Sequence, residues 1–79
     1  MVVIHTTVIT DGHAIVDTEV IKEGAPPRRG LCQLWKRAGE WSRFSGSDTT
    51  DWFPAEFQGI PYDDIQAIGS TLERLLNGD

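Results

Sequence analysis

The chain has 79 residues, one cysteine and a formal net charge of −5. This length supplies one hydrophobic core, because two would leave neither half enough buried apolar area to offset the entropy of backbone ordering, and it leaves little room for a deep catalytic cavity. A lone thiol excludes an internal disulfide, no run approaches the roughly 20 apolar residues of a membrane-spanning helix, and a single soluble domain of a reducing cytoplasm is the expectation.

Residues 2–9 are apolar but interrupted by His5, Thr6 and Thr7. No basic region precedes them and no small-residue cleavage site follows, so they are not read as a signal peptide. Residues 2–10 and 14–21 are rich in β-branched side chains, and Thr10-Asp11-Gly12 offers a three-residue turn, which predicts a β-hairpin. With Ile9 opposite His13, this register puts Val2, Ile4, Thr6, Val8, Ala14, Val16, Thr18 and Val20 on one face. His5, Thr7, Asp17 and Glu19 fall on the other. A two-residue Asp11-Gly12 turn would drive Asp17 and Glu19 to the side of Ile4 and Val8, so burial selects the longer turn.

Residues 22–30 carry Gly24, Pro26, Pro27 and Gly30 beside Arg28 and Arg29 and read as an exposed loop. Residues 31–38 and 41–45 predict a second hairpin turning at Gly39-Glu40 in a type II′ geometry, with Trp35 opposite Phe44. Residues 46–50 read as a polar loop. Residues 51–57 place Trp52, Phe53 and Phe57 around Pro54 in a single helical turn that closes one end of the core. A helix is expected over residues 61–77: Pro61 suits its first position, Asp63 and Asp64 its first turn, and Gly78 its end. Ile65, Ile68, Leu72, Leu75 and Leu76 form its apolar stripe, Gly69 allows close approach to a sheet, and Asp63, Gln66, Ser70 and Glu73 point away. The predicted fold is α+β: a four-stranded antiparallel sheet of two hairpins with one C-terminal helix packed on it, in the order ββββα.

Chemistry-bearing patterns are sparse. Cys32 with His5 or His13 is the one nucleophile-and-base pairing available, and a cysteine inside a strand reads more simply as a buried thiol. Asp63 and Asp64 diverge around the helix axis, and helix-terminus stabilisation accounts for them without acid–base chemistry. Two histidines, one cysteine and scattered acids show no metal-ligand spacing; His5 and Asp17 are expected as cross-strand neighbours. Gly24, Gly30 and Gly39 match no phosphate-binding fingerprint, and neither a metal nor a cofactor is expected.

Charge is the informative pattern. Residues 1–44 hold five acids against six bases, whereas residues 45–79 hold seven acids against Arg74 alone. An acidic segment of this kind raises encounter rates with basic surfaces. Asp48, Asp51, Glu56, Asp63, Asp64 and Glu73, with Trp52 and Tyr62 as aromatic anchors, are the candidate partner-binding residues. An alternative set, Arg28, Arg29, Trp35, Lys36, Arg37, Trp41 and Arg43, combines cations with aromatic rings as single-stranded nucleic-acid binders do.

Taken whole, the MVVIHTTVITDGHAIVDTEV hairpin, the LCQLWKRAGEWSRF hairpin and the acidic DWFPAEFQGIPYDDIQAIGSTLERLLNGD tail resemble the small phage-encoded anti-CRISPR proteins, inhibitors of type I systems, with subtype I-C the candidate. Such proteins share no common motif, so the resemblance assigns no residue. It implies a non-enzymatic protein of the host-cell cytoplasm that docks on subunits of a surveillance complex (Cascade) and keeps target DNA from a lysine- and arginine-lined channel. The basic second hairpin departs from a DNA mimic, which would be acidic on most faces.

Overall fold

A computed structural model describes residues 1–44 and 52–78. Four antiparallel strands, β1 (Val2–Thr10), β2 (His13–Val20), β3 (Arg28–Arg37) and β4 (Glu40–Ser42), form one open sheet in the order β1-β2-β3-β4. A 3-10 turn (Ala55–Phe57) and the helix α1 (Tyr62–Asn77) follow. The architecture is the α+β, ββββα arrangement expected.

The first hairpin is built differently from expectation. Thr10 pairs with His13 across a two-residue turn at Asp11-Gly12, and both residues have positive φ, 46° and 74°, as a type I′ turn requires. Near this turn, residues of opposite parity therefore face each other: Ile9 meets Ala14, Val8 meets Ile15 and Thr7 meets Val16. A β-bulge then intervenes, leaving His5 without a cross-strand partner, and the register becomes Ile4 with Thr18 and Val2 with Val20. The extra residue flips the side-chain alternation. Val2 and Ile4 pack against the core, as expected, but Thr6 is exposed and Val8 is 55% exposed on the opposite face. The sharper turn is admitted because the bulge absorbs the parity conflict.

β3 begins three residues earlier than expected, with Arg28, Arg29 and Gly30 paired to Val20, Glu19 and Thr18. Only the part of residues 22–30 that holds Gly24, Pro26 and Pro27 stays outside the sheet. The second hairpin turns at Ala38-Gly39, where φ values of 51° and 83° again mark a type I′ geometry, and Arg37 faces Glu40. Trp35 consequently lies opposite Ser42 rather than Phe44. The polar loop expected at residues 46–50 lies outside the described residues.

The core lies between one face of the sheet and α1. Ala14, Val16, Cys32, Leu34 and Trp41 meet Trp52, Phe57, Ile65, Ile68 and Leu72, and Thr18 is buried among them with its hydroxyl donating to the Val16 carbonyl at 3.1 Å. The helix follows Pro61, whose carbonyl accepts the first turn's bond from Ile65 at 3.0 Å. It stops at Gly78, which takes the left-handed conformation and donates to the Arg74 carbonyl. Leu75, expected on the apolar stripe, is 57% exposed, whereas Leu76 packs on the core.

Ala38 occupies a left-handed position where a Cβ is strained, and asparagine is the favoured first residue of a type I′ turn. Ala38→Asn is expected to raise stability by about 0.5–1 kcal/mol, read as a higher urea midpoint at unchanged slope.

Candidate docking surface

The residues proposed to meet a partner do different jobs. Trp52 is only 3% exposed; its ring packs edge-on to Phe53 at 5.1 Å and its carbonyl accepts the Gln33 N–H at 2.7 Å. It thus extends the hydrogen bonding of β3 beyond the short β4. Pro54 follows over Gly30, where any side chain would collide with the proline ring. Trp52 is a core residue and an edge cover, not a surface anchor.

Glu73 serves the fold as well. Its carboxylate accepts the Arg43 backbone N–H at 2.9 Å, and four residues later Asn77 accepts the Trp41 N–H at 2.7 Å and donates to the Trp41 carbonyl at 3.0 Å. Two side chains one helical turn apart thereby satisfy the edge of the second hairpin. The Arg43 side chain crosses Gly69, where a Cβ would sit 2.6 Å from Arg43 Cδ. Its Nη1 donates to Ser70 Oγ at 3.2 Å, the Gln66 carbonyl at 3.4 Å and Glu73 at 3.5 Å. The helix face expected to point away therefore grips an arginine, and Gly69 admits that side chain rather than a sheet backbone.

Asp64 pairs with Lys22 at 3.2 Å, with both side chains about half exposed; such a pair contributes little. Asp48 and Asp51 lie outside the described residues. Glu56, Tyr62 and Asp63 remain. Tyr62 is 74% exposed, and the carboxylates of Glu56 and Asp63 make no ion pair with any described residue. The first turn of α1 separates two clefts. Asp64, Ala67, Ile68 and Thr71 line one of about 640 Å³, completed by the β2–β3 connection, and Tyr62, Ile65 and Gln66 line a shallower one of about 360 Å³ against Phe53 and Phe57. An acidic turn carrying an exposed ring thus stands between two largely apolar hollows.

The basic and aromatic set is dispersed. Arg28 donates to the carbonyls of Glu56 and Gln58. Arg29 grips Asp17 through Nε and Nη2 at 3.0 and 2.9 Å, and this hydrogen bonding holds the Asp17 carboxyl below its ordinary value. His5 pairs with Glu19 at 2.7 Å rather than with Asp17, because the bulge displaces it. Trp35 stacks on His13 with ring centroids 5.7 Å apart, Trp41 is buried, and Lys36 lies 5.7 Å from the Trp41 ring. Arg29 and Trp35 face the side of the sheet away from α1, roughly 20 Å apart along β3. Arg43 lies on the helix side. Of the five cationic side chains, only those of Lys36 and Arg37 carry no hydrogen bond or ion pair to a described residue. The set does not form one strip.

Cys32 is fully buried on β3, and burial pushes its thiol up to about 11 against a weaker opposing effect of Thr18. At neutral pH it is a packed, protonated side chain rather than a nucleophile. Among the described residues no group of three or more histidines, cysteines or acids forms a metal site, and no helix is long and apolar enough to cross a membrane. Comparison of the chain with protein-family models, curated proteins and solved structures finds no match.

Two outcomes follow from these placements. Glu73→Ala leaves the largely buried Arg43 guanidinium without its counterion and is expected to cost about 1–3 kcal/mol, whereas Asp63→Ala stays within about 0.5 kcal/mol; urea denaturation separates them. The Cys32 thiol titrates higher in the folded chain than in the unfolded one, so its contribution is complete below the unfolded value of 9.0 and lost as pH rises toward about 11. Cys32→Ala is expected to flatten the fall in stability across that window relative to wild type, with the lysines and Tyr62 common to both proteins.

Proposed function

We propose that the chain is a non-enzymatic inhibitory binding protein of the anti-CRISPR kind, acting in the host cytoplasm on a type I surveillance complex. The docking face is the first turn of α1 with Tyr62 and Asp63, joined by Glu56. The observation that carries this reading is the exposed Tyr62 ring beside Asp63, a carboxylate that makes no ion pair with any described residue, in the part of the chain that holds nearly all the excess negative charge.

The mechanism is competition for a cationic surface. A groove that binds DNA through phosphates is lined with lysines and arginines, and carboxylates presented at similar spacing attract the same groups. Charge accelerates the encounter and is screened within about 8–10 Å at moderate salt. The tyrosine, on the wall of the shallower apolar hollow, supplies the desolvated contact that slows departure. A body of this size seated in the channel excludes DNA by volume. Dispersal of Arg29, Trp35 and Arg43 over two faces weighs against the single-strand-binding alternative.

Binding to purified surveillance complex, followed by a target-DNA shift assay, tests the reading. Asp63→Lys is expected to lower the association rate mainly at low salt, and Tyr62→Ala to raise the dissociation rate about tenfold or more. DNA that stays bound at saturating protein ends the proposal, and quenching of tryptophan fluorescence by a single-stranded oligonucleotide would transfer the function to the basic set.

A further inference from the structure

The sheet has two lateral edges, and they are treated differently. On the β3–β4 side, Trp52 bonds to Gln33 while Glu73 and Asn77 bond to Arg43 and Trp41. On the β1 side no described residue does so: every residue from 6 to 10 is exposed, and Ile9 is 54% exposed although its side chain points to the helix side of the sheet.

Which backbone groups are free follows from the turn. Thr10 and His13 bound a two-residue hairpin and form a hydrogen-bonded pair. Alternation then directs the groups of Thr10, Val8 and Thr6 toward β2 and those of Thr7 and Ile9 outward. Two outward-facing residues flank Val8 symmetrically. The strand Val2–Thr10 contains no lysine, arginine, acid or proline, the usual devices that discourage pairing at an edge. The one protective feature of the strand, the bulge, lies at His5 and leaves residues 6–10 in unbroken register.

We propose that two copies of the chain associate through residues 6–10 of β1, paired antiparallel about a twofold axis at Val8. Thr7 of each copy exchanges both backbone hydrogen bonds with Ile9 of the other. Val8 meets Val8 of the second copy as a non-hydrogen-bonded pair, the geometry that brings side chains closest. Both lie on the open face of the sheet next to Ile15, and this joins four apolar side chains across the axis. Like charges do not meet at the centre, and each copy contributes the same patch, as a twofold interface requires. The contact is short, so the dimer is weak and concentration-dependent.

Sedimentation equilibrium over a concentration series, with amide hydrogen exchange on the same samples, tests this. Rising concentration is expected to slow exchange at Thr7 and Ile9 about tenfold or more while leaving Val8, bonded within the monomer, unchanged. Thr7→Pro removes an outward N–H that the monomer does not use, and Val8→Lys sets two cations side by side. Each is expected to weaken association about tenfold or more with far-UV dichroism retained, whereas Tyr62→Ala leaves association unchanged. A chain that stays monomeric at millimolar concentration overturns the proposal. So does a dimer that tolerates Thr7→Pro but not Val8→Lys, which would pair sheet faces instead of edges.

Discussion

A conflict between turn geometry and side-chain alternation shapes this molecule. The tight Asp11-Gly12 turn demands that residues of opposite parity face each other, whereas the core demands that Ala14, Val16 and Thr18 share a face with Ile4 and Val2. One extra residue in β1 satisfies both. Its cost is local: His5 loses its place in the ladder, and Val8 is turned outward. The result is a hairpin with two ends of different character. The end beyond the bulge packs on the core, and the end near the turn offers threonines, valine and isoleucine to solvent.

The opposite side of the molecule solves a different problem, the backbone left open by a three-residue β4. Glu73 and Asn77 supply the missing partners from one helix face, and Trp52 continues the hydrogen bonding further along β3. This use of Glu73, with the Lys22–Asp64 pair, draws two carboxylates away from the acidic segment. What remains of the proposed docking set among the described residues is consequently small: Glu56, Asp63 and Tyr62. Affinity from so compact a patch would rest on Tyr62 more than on summed charge.

Much of the fold was legible because periodicity and helix punctuation are local signals. The strand-forming character of the first hairpin, Pro61 and Gly78 at the helix ends, and the helical turn after Pro54 all depend on residues close in sequence. Register was less legible. Both turns proved to be type I′, one with Ala38 at a position more often held by asparagine or glycine, and a bulge leaves no mark in a run of β-branched residues. The site was legible only as charge. Helix spacing placed Glu73 on a polar face, but that this face would receive Arg43 depended on tertiary contact with the second hairpin. Gly69 was the available clue, because a glycine inside a helix implies that something passes close by.

That passage binds two positions into one steric unit. Arg43 lies over residue 69 so closely that a methyl group there would push its side chain off its seat against Gln66, Ser70 and Glu73. Variation at either site is therefore reciprocal: alanine at 69 fits without displacement once residue 43 is shortened, and glycine is favoured wherever the guanidinium keeps that seat. In any set of relatives, the two positions should exchange volume, one growing as the other shrinks.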